Sequence, residues 1–222
     1  MTTVSSPFTG AANGATDPAG LPFVSVIVPT HNRADQLTDA LNALWRQRYP
    51  VDRYEVIVID DGSEDDTPAV IERMAPQAPC RVVQQRTTGI GAAAARNLGM
   101  RLATGAIMAH TDDDCRVPET WIEAGVEGFA DTVAIVYGPI YAKPEQQVSF
   151  FSWIQEQDKP TGTYPTSNIF YRSDAARAIG LFAGGALEPA GRDRRMCPFV
   201  ATDRLPSARY RHRRQRLGAG SR

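Results

Sequence analysis

Apolar positions along this chain come in two rhythms. Phe23-Val24-Ser25-Val26-Ile27-Val28 and Glu55-Val56-Ile57-Val58-Ile59 are short β-branched runs that read as buried strands. Cys80 to Gln84, Ala106 to Ala109 and Val133 to Tyr137 are weaker or shorter runs of the same kind. Pro29 marks the stop of the first strand. Between the strands the spacing turns helical. Ala34, Leu37, Leu41, Leu44 and Trp45 place an amphipathic helix from Arg33 to about Gln47, broken by Tyr49-Pro50. Thr67-Pro68 signals another helix start, with Thr67 as N-cap, Pro68 at the first helical position, and Val70, Ile71 and Met74 on the apolar face. Ala92 to Ala103 is an Ala-rich helix ended by Gly105, and Pro118 to Phe129 is a further helix with Trp121, Ile122, Val126 and Phe129 on one side. Strand and helix alternate with short connections. That order predicts an α/β fold, a mostly parallel, Rossmann-like sheet flanked by helices.

In such a sheet, ligands bind outside the carboxyl ends of the strands. The polar oddities of the sequence obey that rule. Thr30-His31-Asn32, Asp60-Asp61-Gly62, Thr87-Thr88-Gly89 and Asp112-Asp113-Asp114 each follow a strand. Three successive carboxylates oppose one another's ionisation. A solvated acidic turn or a helix start is one explanation for them. A divalent cation that offsets the repulsion is the other, since Mg²⁺ and Mn²⁺ prefer carboxylate oxygens and keep positions open for phosphates. Four polar turns at one sheet edge favour the second.

Composition adds constraints. The 222 residues suffice for one domain with a sizeable core, and a net charge of −1 gives no bulk attraction to nucleic acid. The charge is uneven, with ten arginines against three acids (Glu188, Asp193, Asp203) in residues 183–222. Cys80, Cys115 and Cys197 form neither metal-ligand spacing nor a disulfide framework, which points to a reducing, cytoplasmic setting. No run approaches the ~18 apolar residues of a membrane span. Residues 1–20, rich in Ser, Thr, Gly, Ala and Pro, read as a disordered leader.

Each candidate group has a plain alternative. Asp61 can accept from a base edge or a ribose hydroxyl, and Asp-Gly is equally a turn pair. Thr30 and Asn32 can hold a nucleotide or cap the following helix. Gly89-Ile90-Gly91 before a helix is a weak phosphate-loop signal, without the dinucleotide fingerprint or a Walker-type lysine. Arg96 can pair with a pyrophosphate or lie exposed on the surface. His31, His110 and His212 show no ligand pairing. No nucleophile elbow or Cys/His pair is present, so the nucleophile belongs to a substrate. A diphosphate grip with a metal fits a nucleotide-sugar donor, whose leaving charge a cation stabilises.

The chain resembles the family 2 glycosyltransferases with the GT-A fold. The matching stretches are Val24 to Arg33, Val56 to Ser63, Gly91 to Gly99 and Thr111 to Asp114. Ser167 to Arg172 and Ala178 to Phe182 resemble the family's acceptor-side strand and helix. The likeness spans about Phe23 to Phe182, within an expected domain of residues 21–182. It implies that Pro29, Thr30, Asn32 and Arg33 line the nucleotide pocket, that Asp61 contacts the base, and that Arg96 sits near the donor diphosphate. Asp112 and Asp113 would hold the ribose and sugar side, with Asp114, together with Asp112, on Mg²⁺ or Mn²⁺. The implied reaction is inverting transfer from a UDP-, GDP- or dTDP-sugar to a hydroxyl acceptor, either glycan or lipid-linked. A nucleotidyltransferase is the weaker alternative. It would carry a Gly-rich basic loop where Pro29-Thr30-His31-Asn32 stands.

The pattern departs from the family after Phe182. The usual adjacent acid pair that supplies the base is missing, and Asp203 is the candidate by location. Without that pair, a protein that binds nucleotide sugar without transferring it is a live alternative. The Arg-rich residues 183–222 read as a solvated basic tail, as a peripheral patch for the inner face of an anionic membrane, or as the product of a reading-frame change near Cys197.

Overall fold

The computed structural model describes residues 20–129, 133–141, 166–178 and 180–181. In chain order these residues form β1 (Val24–Thr30), α1 (Ala34–Leu44), β2 (Tyr54–Asp60), α2 (Thr67–Met74), β3 (Arg81–Arg86), α3 (Ala92–Leu102), β4 (Ile107–His110), α4 (Trp121–Glu127), β5 (Ile135–Tyr137), β6 (Ile169–Arg172) and α5 (Ser173–Ala178). The strands make one sheet in the order β3-β2-β1-β4-β6-β5. β1, β2, β3 and β4 run parallel to one another, and β6 runs antiparallel to both β4 and β5. The expected α/β sheet, mostly parallel and flanked by helices, is what forms.

Side chains alternate across the strands and so feed two cores. Val24, Val26, Val28, Val56, Val58, Ile107, Ala109 and Phe170 meet Leu37, Leu41, Leu44, Val70, Ile71 and Ile122 from α1, α2 and α4. Ile27, Ile57, Ile59, Met108, Ile169 and Tyr171 meet Ala95, Met100 and Ala176 from α3 and α5. Both faces of β1, β2 and β4 are therefore dry, which explains why their sequences read as continuous apolar runs. β3 is the exposed edge and carries Arg81, Gln84, Gln85 and Arg86, polar residues that discourage further strand pairing.

The element ends refine the sequence reading. β1 continues through Pro29 to Thr30. The Thr30 carbonyl accepts from Asp61 N–H at 2.8 Å on the β2 side, and the Ile27 carbonyl accepts from Thr111 N–H at 3.4 Å on the β4 side. By alternation Pro29 faces the β4 side, beyond the last pairing of Ile27 with His110, where its missing N–H breaks no ladder bond. Thr67 is the first helical residue rather than the N-cap, which is Asp66. The acceptor-side helix, expected over Ala178 to Phe182, comes earlier, as α5. Gly180 and Leu181 follow it with positive φ values of 87° and 67°, a turn that no helix can pass through. None of the helices among the described residues is long and apolar enough to cross a membrane.

Candidate active site

Parallel pairing puts the carboxyl ends of β1, β2, β3 and β4 along one edge, with Thr30 opposite Asp60 and Asp60 opposite Arg86. All four polar turns therefore share that edge. Asn32 anchors the turn after β1. Its φ of 54° is a left-handed conformation that Asn tolerates better than most residues. Its side-chain oxygen accepts from Glu64 N–H at 2.7 Å and Asp65 N–H at 3.4 Å, and its own N–H donates to Ser63 Oγ at 2.9 Å. The start of α1 is capped from the neighbouring loop. Arg33 N–H donates to Thr67 Oγ1 at 3.0 Å and Ala34 N–H to Asp65 Oδ2 at 3.3 Å. Neither Thr30 nor Asn32 caps α1, the alternative the sequence left open.

Asp61 builds the turn after β3. Its carboxylate accepts from the Thr87 hydroxyl, from Ile90 N–H at 2.7 Å and from Gly91 N–H at 2.8 Å. Burial on its own raises the Asp61 pKa. Those three bonds and the nearby His31 outweigh it and hold the carboxyl below the usual carboxylate range. The amides of Ile90 and Gly91, which the sequence offered to phosphates, are thus already engaged. Gly62 lets the two loops meet. Its φ is +80°, and an added Cβ would stand 2.9 Å from Gly89 N. His31 also belongs here. Its Nδ1 lies 2.8 Å from the Asp61 carbonyl, a contact that requires a proton on Nδ1 and leaves Nε2 to accept from Asn32 Nδ2 at 3.2 Å.

The three acids after β4 each meet a partner from another element. Arg96, on the second turn of α3, donates from Nη2 to Asp112 Oδ1 at 2.6 Å. Arg33 reaches Asp114 Oδ2 at 3.0 Å through Nη1 and lies 4.0 Å from Asp113 Oδ1 through Nε. Asp113 is buried, and burial raises its pKa. The Thr30 hydroxyl and Arg33 oppose that shift, while Asp114 and Asp112 add to it. Beneath them His110 is fully buried, edge-on to the Tyr171 ring at 5.7 Å. Burial, reinforced by Arg96, pushes the His110 pKa down to about 3, so its ring is neutral.

Ligand atoms of Asp112, Asp114 and Cys115 all lie within 4.8 Å of one another. Two carboxylates at that spacing suit a hard cation such as Mg²⁺ or Mn²⁺. Cys115 is a poorer donor for such an ion. Burial and the adjacent Asp112 and Asp114 push its thiol pKa up to about 12, so the proton stays on sulfur. The structure thus gathers Thr30, Asn32, Arg33, Asp61, Arg96, Asp112, Asp113 and Asp114 along one edge. Pro29, the remaining donor-side candidate, is buried inside β1. Asp203 lies outside the described residues, as do residues 1–19 of the leader and the Arg-rich segment.

Residues 25–183 match the profile of "Glycosyl transferase family 2". The chain belongs to this family. Similar proteins include the glycosyltransferase AglE of Haloferax volcanii, 34% identical over 171 residues, covering 73% of this chain and 56% of AglE. The validoxylamine A glucosyltransferase of Streptomyces hygroscopicus subsp. jinggangensis is 36% identical over 123 residues, covering 55% of this chain and 28% of that enzyme. Among solved structures, the mannosyltransferase PcManGT of Pyrobaculum calidifontis, in complex with GDP-Man and Mn²⁺, superposes with a TM-score of 0.62 at 28% identity. The alignment covers 77% of this chain and 50% of PcManGT. TarS of S. aureus, residues 1–349 in complex with UDP-GlcNAc, shares the fold with a TM-score of 0.55 at 24% identity, covering 71% of this chain and 47% of TarS. The chain therefore spans about half the length of AglE and PcManGT, and its sheet is of the GT-A type.

Proposed function

We propose that this chain binds a nucleotide-diphosphate sugar and a divalent cation at the carboxyl edge of its sheet and transfers the sugar to a hydroxyl acceptor with inversion. The observation that carries the reading is the convergence of Asp112 and Asp114 ligand atoms within 4.8 Å on the edge that also holds Asp61. Asp112 and Asp114 are the residues to hold Mg²⁺ or Mn²⁺. A cation held there stabilises negative charge developing on a departing nucleoside diphosphate. Arg33 and Arg96 supply positive charge for phosphate oxygens. Thr30, Asn32, Asp61 and Asp113 line the nucleotide side, and the loop that Asp61 organises forms its rim. The relative in complex with GDP-Man and Mn²⁺ supports both ligands by analogy. UDP-, GDP- and dTDP-sugars are the donor candidates, and a glycan or lipid-linked hydroxyl is the acceptor. Asp203 is our assignment for the acceptor's base, in a cytoplasmic protein; the ten arginines of residues 183–222 make a basic segment that an anionic membrane surface would attract.

A second reading is binding without transfer. It is favoured by the lack of any adjacent acid pair after Phe182. A thermal-shift screen of UDP, GDP, dTDP and their sugars, with and without Mn²⁺, tests the common part. Ligand at a hundred times its Kd stabilises by about 2.7 kcal/mol, a rise of roughly 5–10 °C for a domain of this size. No shift with any nucleotide would end both readings. A shift accompanied by release of nucleoside diphosphate that Asp203→Asn abolishes supports transfer. A shift with no sugar released or transferred supports binding alone.

A further inference from the structure

Two arginines pair with the three acids after β4. Arg33 reaches them from the turn after β1 and Arg96 from α3, so the pairings join three separate elements. Each of the two carboxylates suited to a cation carries its own arginine: Asp112 has Arg96 at 2.6 Å and Asp114 has Arg33 at 3.0 Å. A cation that takes both carboxylates competes with both guanidinium groups for the same oxygens. The Arg96 side chain is only 15% exposed, and its Nε–H is buried with no hydrogen-bond partner among the described residues. In this arrangement Arg96 is one donor short, so it gains a bond by re-pairing with a ligand that offers several acceptors. A diphosphate offers them, as pairs of oxygens that the planar guanidinium fork can take two at a time.

We infer that Arg33 and Arg96 are displaceable counter-ions. Without metal they hold Asp112 and Asp114 together against mutual repulsion. With a divalent cation held by those carboxylates, the two guanidinium groups would be free to pair with the donor diphosphate instead. This inference rests on the cation and nucleotide reading above. Its consequence is that each arginine opposes metal binding alone and favours nucleotide binding. Substitutions therefore move the two affinities in opposite directions. An arginine that only supports the local structure would weaken both when replaced.

The test uses all 222 residues with MnCl₂, UDP, GDP and dTDP. Free Mn²⁺ is counted by its electron paramagnetic resonance signal, and nucleotide binding is followed by calorimetry at saturating Mn²⁺. Arg33→Gln breaks a half-exposed pair and should tighten Mn²⁺ binding in the absence of nucleotide by up to about fivefold. Arg96→Gln breaks the less exposed pair and should tighten it by roughly tenfold. Both variants should bind UDP or GDP several-fold more weakly. Arg96→Lys, which keeps the charge, should return Mn²⁺ affinity toward the parent value. Arg116→Gln removes the same charge from a pair with Asp39 and should leave both affinities unchanged. If the parent binds no Mn²⁺ with UDP, GDP or dTDP present, the functional reading falls, and this inference with it. If the parent binds Mn²⁺ but Arg33→Gln and Arg96→Gln weaken it or leave it unchanged, the counter-ion inference alone is overturned. Should Arg96→Gln fail to fold by circular dichroism, Arg33→Gln on its more exposed pair decides the matter.

Discussion

Replacing Asp61 with alanine removes one carboxylate and releases three donors. The Thr87 hydroxyl, Ile90 N–H at 2.7 Å and Gly91 N–H at 2.8 Å all end on it. Hydrogen bonds to charged groups contribute about 1.5–3 kcal/mol each when water cannot replace them. Here Thr88 to Gly91 are exposed, so water recovers part of each bond. At about 1 kcal/mol per bond, Asp61→Ala costs roughly 3 kcal/mol, and Asp61→Asn, which keeps one acceptor oxygen, about half of that. The loss falls first on the loop. Amide hydrogen exchange at Ile90 and Gly91 should accelerate about 10²-fold in Asp61→Ala, the rate equivalent of that free energy. Acidity gives an independent handle. The folded pKa of Asp61 lies below its unfolded value, so its stabilisation is fully present above the unfolded pKa, near 3.9, and disappears as pH falls through the folded one. The stability gap between the parent and Asp61→Asn should therefore narrow below about pH 3.9. Parental exchange rates at Ile90 and Gly91 in Asp61→Ala would show that this carboxylate does not hold the loop.

Two further substitutions separate the scaffold from the site. Glu55 is fully buried near the opposite end of the sheet, where it accepts from Ser25 Oγ at 2.7 Å, Thr104 N–H at 3.0 Å and Thr104 Oγ1 at 2.8 Å, and pairs with Arg81. Glu55→Ala should lose about 3 kcal/mol in urea unfolding, about 1 for each of the three hydrogen bonds from Ser25 and Thr104, because the exposed Arg81 is left in water; the protein that remains folded keeps its nucleotide affinity. Gly62→Ala forces a Cβ to within 2.9 Å of Gly89 N at a φ of +80°. It should cost about 1–3 kcal/mol and weaken nucleotide binding, because the loops from β2 and β3 must part.

How much of this was legible in the sequence depends on the range of each interaction. The apolar runs of β1, β2 and β4 declare buried strands because both of their faces are covered, and the acids of residues 112–114 stand out because no local turn needs three of them. The partners of those acids do not stand out. Arg33 lies 81 residues from Asp114, and only the pairing of β1 with β4 brings them together. Thr67 reads as the cap of its own helix, yet its hydroxyl serves Arg33 N–H, 34 residues away. His31 carries no ligand spacing, and its place beside Asp61 follows from the alignment of β1 with β2. Pro29 looks like a strand breaker until the strand order shows that its side of β1 has no partner left. Local periodicity thus locates the edge of the sheet, and tertiary register decides which side chains meet there.

On the proposed function, Asp112 and Asp114 hold a divalent cation that takes part in gripping a nucleoside diphosphate. Calorimetric titration of Mn²⁺ with UDP or GDP present, into the parent, Asp112→Asn and Asp114→Asn, tests it most directly. Losing even a supporting partner of a metal ligand weakens binding ~10–100-fold, so each of these replacements should weaken Mn²⁺ binding by at least ~10-fold. Replacement proteins that take up Mn²⁺ and nucleotide as tightly as the parent would contradict the account.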